Sequence, residues 1–160
     1  MSSAESARAV PGVSSAAVAL VDPFSGFNLS NGVTPAERAA EHGEAGYMQA
    51  SWRIVSPGYF QTLGVPLLRG RLFTAEDRYG NPPTVIVTRT LAERLWPGED
   101  AIGKALFWGG IDGEPRRVVG VVGDIRDVEL PADPPPLMFL SSRQLIFPSM
   151  TLLVRAAGDV

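Results

Sequence analysis

Cysteine is absent from this chain of 160 residues, and histidine occurs only once, as His42. Without cysteine the chain has no disulfide, no thiolate nucleophile and no cysteine ligand for a metal. A single histidine also excludes a two-histidine metal site and a histidine relay within one chain. The residue types on which many enzyme and metal sites depend are therefore missing.

Long apolar runs and secretion signals are absent as well. No stretch reaches the ~18 apolar residues that a membrane-spanning helix needs. Residues 1–6 lack the basic start and the apolar centre of a secretion signal. The chain stops at Val160, immediately after a strand-like run. We therefore expect it to be one domain excised from a longer protein.

Charge of a single sign is not concentrated anywhere in the sequence. There are 14 basic and 17 acidic residues, and the longest basic run is Arg116-Arg117. A protein that binds nucleic acid needs a concentrated positive face, so we predict no nucleic-acid partner. Strong attraction to an anionic membrane surface is disfavoured for the same reason. A hydrophobic share of 45% indicates one globular domain rather than a disordered chain.

Alternation of apolar and polar residues is clearest at residues 48–55. Trp52 and its alternate neighbours point one way and Arg53 the other, which predicts a β-strand with one buried face. The remaining predicted strands are residues 13–21, 67–73, 84–87, 104–108, 116–122, 137–140 and 150–155.

Two helices are predicted between these strands. Ser56 opens the first, and Gly64 closes it with the backbone freedom of glycine. A capping box formed by Thr90 and Glu93 starts the second, which runs to about Trp96. Strand, helix and strand thus follow one another twice. The expected fold class is α+β, with two β-α-β-type units, mixed sheets and a few short helices packed on them.

Residues 23–47 are rich in glycine, serine, asparagine and alanine, and we predict a flexible loop region there. Inside it, Thr34 can cap a short surface helix, with Pro35 at the first helical position and Glu37 reaching back towards the cap.

A phosphate-binding loop is imitated by residues 98–104, which fit the pattern GxxxxGK. Ala105 follows where serine or threonine would hold magnesium, and Glu99 and Asp100 would repel phosphate. The segment also leads from a helix into a strand, whereas a phosphate loop leads from a strand into a helix. We predict a helix-terminating turn and no nucleotide site.

Other polar candidates favour structural roles. Asp124 and Asp127 could be paired carboxylates, but an aspartate at a strand end more often caps a turn. Glu76 and Asp77 are interpreted as a capped surface turn, and His42 as a solvated loop residue. We therefore predict no catalytic, cofactor-binding or metal-binding residue, and no enzyme.

Aromatic residues fall mostly on the predicted inner faces, which indicates core packing. They are Trp52, Tyr59, Phe60, Phe73, Trp96, Phe107 and Trp108.

Three stretches carry a family resemblance: RIVSPGYFQTLGVPLLRGRLF at residues 53–73, LAERLWPGEDAIGK at 91–104 and RVVGVVGDIR at 117–126. Together they closely resemble the MacB-like periplasmic core domain of ABC transporter permeases of the MacB/FtsX superfamily. The resemblance covers most of the chain. It departs from the family at Thr88-Arg89, where Asn-Glu is frequent, near Phe139, where a tyrosine is common, and before Gln144, where a proline is missing.

The resemblance implies a location and a function. Residues 1–160 would form a single extracytoplasmic domain at the periplasmic face of the bacterial inner membrane, inserted between two membrane-spanning helices of a permease. A separate cytoplasmic ATPase would drive those helices, and the domain would transmit their motion without catalysis or a cofactor. A second copy of the domain or a periplasmic protein would be a further partner.

The alternative is a ligand-binding or substrate-binding module of the same transporter, which predicts a concave apolar pocket with a few convergent polar groups. The transmission hypothesis predicts instead that the two ends of the domain lie close together, because both must return to the membrane.

Overall fold

The computed structural model describes residues 9–19, 29–42, 47–111, 113–125, 134–145 and 151–156. Within them the strands are β1 (Val13–Ala19), β2 (Leu29–Pro35), β3 (Met48–Val55), β4 (Leu67–Gly70), β5 (Thr84–Thr88), β6 (Ala105–Trp108), β7 (Arg116–Val122), β8 (Leu137–Ser141) and β9 (Thr151–Ala156). The helices are a 3-10 turn (Ala36–Arg38), α1 (Ala39–His42), α2 (Tyr59–Leu63) and α3 (Arg89–Leu95).

Strand pairing closes a ring of six strands within one mixed sheet. The neighbours run β2, β6, β7, β5, β8 and β3, and β3 pairs again with β2. The β3–β8 and β5–β7 pairs are parallel, and the other pairs of the ring are antiparallel. Strand β4 is added alongside β7, while β1 joins β3 and carries β9 on its other edge.

Two hydrophobic cores lie on opposite faces of this sheet. Alternate residues of one strand enter different cores, because side chains alternate between the faces of a strand. Val85 and Val87 of β5 belong to the first core, which helix α3 joins through Leu91 and Leu95. Ile86 belongs to the second core, where α2 lies. The α+β fold class, with a mixed sheet and short packed helices, is confirmed.

Strand β3 was predicted to have one buried face, but both faces of its carboxyl-terminal half are buried. Arg53 is 2% exposed there, and both Ile54 and Val55 are fully buried. Ile54 belongs to the first core and Val55 to the second. Alternation therefore locates the strand correctly but underestimates how completely it is covered.

The two strand–helix–strand units are present in chain order, as β3-α2-β4 and β5-α3-β6. The strands of each unit are not neighbours in the sheet, however. β3 runs parallel to β8, and β5 runs parallel to β7. The segment that connects two parallel neighbours, β3 to β8 or β5 to β7, is therefore longer than one predicted strand–helix–strand unit.

Part of the segment predicted as a flexible loop is a ring strand. Residues 29–35 form β2, which pairs with β3 on one side and β6 on the other. The short helix follows at Ala36, but Thr34 does not cap it. Thr34 is buried in β2, and its Oγ1 accepts a hydrogen bond from the amide of Tyr47 at 3.1 Å.

The cap of α3 lies two residues earlier than predicted. Thr88 is the N-cap, and its Oγ1 accepts from the amide of Leu91 at 3.4 Å. The same oxygen accepts from the amide of Leu137 at 3.3 Å, so one hydroxyl also ties the helix start to β8. Threonine thus supplies a cap acceptor at the position where the resembling family often has asparagine.

Strand β4 ends earlier than its sequence suggests because of the close approach of two backbones. Gly70 and Gly120 are register partners between β4 and β7. A β-carbon on Gly70 would meet the carbonyl oxygen of Val119, and one on Gly120 would meet that of Arg71. Gly70 also has φ +72°, which ends the regular strand before Phe73.

Candidate functional site

The segment that imitates a phosphate loop is a turn between α3 and β6, as predicted. Glycines at both ends have positive φ, +73° at Gly98 and +85° at Gly103. Lys104 Nζ lies 3.5 Å from Glu99 Oε1, so its charge is directed at a carboxylate of its own segment. The amide of Gly103 donates to the carbonyl of Val118 at 3.0 Å instead of facing an open cradle.

Asp124 follows the end of β7, and its side chain hydrogen-bonds to the start of helix α3. Its Oδ1 accepts a hydrogen bond from the amide of Thr90, in the first turn of α3, at 3.1 Å. This contact supports a capping function for the side chain. Asp127 and the side chain of His42 lie outside the described residues. Within the described residues, no group of three or more histidine or acidic side chains could hold a metal ion.

Asp77 differs most from its prediction, because it is buried rather than on a surface turn. The residue is 1% exposed, whereas its neighbour Glu76 is exposed. Both carboxylate oxygens accept from the guanidinium of Arg71, at 2.8 and 3.1 Å. The amide of Thr74 and the hydroxyl of Thr84 also donate to it, at 2.7 and 2.9 Å. We call Arg71, Thr74, Asp77 and Thr84 the Asp77 clamp.

The clamp also reaches strand β8. Ser141, fully buried at the end of β8, donates its hydroxyl to the carbonyl oxygen of Asp77 at 2.7 Å. Thr84 is the first residue of β5. One turn therefore ties the chain after β4 to the edges of β5 and β8. The turn was predicted, but the burial of Asp77 depends on contacts with Thr84 and Ser141 that sequence spacing does not reveal.

Electrostatics favour the charged form of this carboxylate. Burial raises the pKa of Asp77, but the hydrogen bonds from Arg71, Thr74 and Thr84 outweigh it and hold the pKa below its usual range. The reciprocal hydrogen bond to Asp77 raises the pKa of the Arg71 guanidinium. The clamp thus contains an ionised Arg71–Asp77 pair, and the Asp77 carboxylate accepts its hydrogen bonds from residues of the clamp.

A depression with a volume of about 650 Å³ lies beside the clamp. Charged side chains are among those that line this depression, including Arg71, Glu76, Glu114 and Arg117. A second depression of about 470 Å³ lies between β4 and α3. Both depressions are open to solvent.

The first and last described strands lie side by side. β1 and β9 are antiparallel, and their register pairs Val13 with Ala156 and Ala19 with Thr151. The chain that begins β1 and the chain that leaves β9 are therefore at the same end of the strand pair. This agrees with the expectation that both ends of the domain lie close together.

Aromatic side chains join this strand pair to the ring. Phe60 packs edge-on against Phe139 of β8 with ring centroids 4.8 Å apart, and Tyr59 lies 5.7 Å from the same ring. Leu153 of β9 and Ala17 of β1 belong to this second core. We call Tyr59, Phe60, Phe139 and Leu153 the aromatic junction. Of the seven aromatic residues predicted for the core, four are buried and three, Trp52, Phe107 and Trp108, are half-buried.

A family model described as the MacB-like periplasmic core domain matches residues 2–159. This chain belongs to that family. Among proteins related to this MacB-like core domain is the probable export ATP-binding/permease protein MacB of Pseudomonas entomophila. It is 31% identical over 75 residues, which is 46% of this chain and 11% of that protein.

Two solved structures share the fold of this MacB-like domain. The periplasmic region of MacB from Actinobacillus actinomycetemcomitans has a TM-score of 0.64 at 18% identity, covering 98% of this chain and 64% of that one. The extracellular domain of the noncanonic ABC-type transporter YknZ from Gram-positive bacteria has a TM-score of 0.63 at 17% identity, covering 96% and 71%. The chain thus spans just under two thirds of the MacB periplasmic region.

None of the helices in the described residues of this MacB-like domain has the length and apolar character to cross a bilayer.

Proposed function

We propose that this domain is the periplasmic part of an ABC transporter permease, held between two membrane-spanning helices, and that it transmits their motion without catalysis. The observation that carries the proposal is the antiparallel pairing of β1 with β9, which brings the two connections of the domain to one end. A domain attached to the membrane at two neighbouring points moves with both helices. ATP hydrolysis would take place in a separate cytoplasmic ATPase.

Stiffness is the second requirement for such a role, since a soft domain would absorb displacement instead of passing it on. The closed ring leaves β2 and β3 with partners on both edges, and buried close-packed interiors transmit strain. The Asp77 clamp and the Gly70–Gly120 contact brace the chain around β4. These features support a rigid body whose output surface lies away from β1 and β9, where a second copy or a periplasmic protein would bind.

A coupling experiment in the parent permease tests this function. Flexible glycine-serine insertions would be placed before residue 9 and after residue 156, so that both connections become slack. We expect ATP hydrolysis to continue while transport is lost, because the helices would move without displacing the domain.

The matched control places the same insertion after Gly110, in the exposed turn between β6 and β7. Transport should survive this change, since the insertion does not lie between the membrane and the ring. Normal transport with both slack connections would contradict the proposal.

A further inference from the structure

Tyr79 is a large aromatic side chain that the fold leaves in solvent. It is 85% exposed, more than any other large hydrophobic residue described. It lies in the turn that follows the Asp77 clamp, next to exposed Arg78. Exposed Arg143 and half-buried Arg116 lie beside it. We call Arg78, Tyr79, Arg116 and Arg143 the Tyr79 surface.

Backbone hydrogen bonds fix the turn that presents this side chain. The amide of Tyr79 donates to the carbonyl of Arg143 at 2.9 Å, and the amide of Asn81 donates to that of Arg78 at 3.1 Å. Asn81 Nδ2 donates to the carbonyl of Glu76 at 2.6 Å. Gly80 supplies the φ of +92° that the turn requires. The aromatic ring is thus carried on a preorganised backbone, which lowers the entropic cost of binding.

Positive charge gathers here although the chain as a whole is acidic. Elsewhere Arg69, Arg71, Arg89 and Lys104 each lie within 4.0 Å of a carboxylate. Within the part of the chain that the structure describes, the three arginines of the Tyr79 surface have no such ion pair. Glu114 in the same depression offsets part of the charge of Arg116. With three arginines against this one carboxylate, positive charge remains in excess on the Tyr79 surface.

Arg116 is held in place by neutral partners. Its Nη1 donates to the carbonyl of Thr84 at 3.3 Å, and its guanidinium carbon lies 5.7 Å from the ring centre of Trp108. Burial lowers the pKa of Arg116, which reflects the cost of desolvating its charge, and the nearby Glu114 opposes this shift only in part. An incoming carboxylate would offset part of that cost.

The surface is concave rather than flat. A depression of about 370 Å³ lies under Tyr79 and is bounded by Arg78, Arg116 and Gln144. It shares Asn81, Pro83 and Glu114 with the larger depression beside the clamp, so the two are continuous.

We propose that the Tyr79 surface binds an acidic polypeptide segment of a partner protein. The guanidinium fork of arginine matches carboxylate geometry, and tyrosine and arginine are the residue types that most often dominate protein interfaces. The concave shape fits an extended chain better than a planar lipid surface. This inference goes beyond the transmission role and does not depend on it.

A titration of the ¹⁵N-labelled 160-residue chain with a peptide of alternating glutamate and glycine tests the proposal. We expect NMR shift changes concentrated at residues 78–81, 114–117 and 143–144. The double variant R78A/R143A should weaken binding about 10-fold or more, and Y79A several-fold, because each removes an exposed contact at the centre of the surface.

The double variant R89A/R94A is the matched control, since it removes the same charge from the exposed side of α3. It should leave the affinity within about twofold of the parent chain. Equal loss in the control, or shift changes spread over the whole surface, would reduce the effect to net charge and overturn the proposal. Absence of peptide binding would overturn it too, as would binding to phosphatidylglycerol vesicles that depends on Arg78 and Arg143 while the peptide fails to bind.

Discussion

The six-stranded ring and the β1–β9 pair are held together by different kinds of contact. Around the ring, every strand has hydrogen-bonded neighbours on both edges. Within the described residues, β1 instead pairs with the ring at Ala19 and Val55. Side-chain packing through α2 and the aromatic junction adds to this attachment.

This difference indicates where motion would pass between the membrane and the ring. A hydrogen-bonded ladder resists shear along its whole length. In the described residues, the β1–β9 pair contacts the ring through one short strand pairing and through packed side chains. The aromatic junction should therefore matter more for coupling than its small size suggests, and the ring should behave as one body.

Phe60→Ala is expected to have the largest effect, because it removes the centre of the junction. Phe60 is 2% exposed, and deleting a buried aromatic ring costs about 3–5 kcal/mol of unfolding free energy. Urea denaturation would measure the loss. Hydrogen exchange should show β1 and β9 losing protection before β5 and β7. Phe107→Ala, at a half-buried position of β6, should cost less, and simultaneous opening of all strands would refute the division into two regions.

Asp77→Asn, in the clamp beside the ring, should lower the free energy of unfolding by about 2–3 kcal/mol, because a buried charged hydrogen-bond network loses its anion. Since the pKa of Asp77 is lowered by folding, its contribution is complete above about pH 4 and falls as the pH drops through the folded-state pKa. Unfolding measured from acid to neutral pH should show that dependence reduced in the variant. Glu76→Gln, at the exposed neighbouring position, should keep the pH dependence of the parent chain. If Asp77→Asn lost stability with falling pH as steeply as the parent chain does, this would be evidence against the clamp.

Gly120→Ala tests the bracing of the ring at β4. The new methyl group would meet the carbonyl oxygen of Arg71, and overpacking of this kind costs about 1–3 kcal/mol. Gly110→Ala is the matched control, because nothing lies within 4 Å of its β-carbon position. Thermal unfolding of the two variants should separate them clearly, and equal melting temperatures would mean that β4 is not tightly braced.

Glu37→Ala is the smallest change and concerns the closure of the ring at β2. Glu37 Oε1 accepts from the indole Nε1 of buried Trp96 at 2.7 Å, which ties the turn after β2 to the end of α3. Loss of this hydrogen bond should cost about 1 kcal/mol. Glu93 forms an exposed ion pair with Arg89 and is the control position. Glu93→Ala should change the unfolding free energy by less than about 0.5 kcal/mol. Tryptophan fluorescence during unfolding would report both variants.

Sequence patterns predicted the strands and helices whose own residues favour them. β3 and β7 have the bounds that alternation and β-branched content suggested, and α2 ends at Gly64 with φ +71° as its closing glycine predicts. The family resemblance is confirmed by a model match over residues 2–159.

Features that depend on distant partners could not be read in the same way. β2 has the sequence LSNGVTP, which contains few residues that favour strands, and it is extended because β3 and β6 flank it. Asp77 looks like a turn residue until β5 and β8 bring Thr84 and Ser141 to it. Local propensity locates elements, while burial of a charged side chain is decided by packing.

The distance between two spin labels within the domain tests rigid transmission most directly. These 160 residues contain no cysteine, so Glu93→Cys on α3 and Val154→Cys on β9 would be the only labelling sites within the domain. Their distance can be measured by pulsed electron resonance in a parent permease whose other segments are freed of cysteine. Rigid transmission predicts the same distance within about 1 Å in nucleotide-free and ATP-bound states, while the domain as a whole is displaced. A change of more than about 2 Å between the labels would show that the domain deforms instead of carrying motion, and would contradict the central claim.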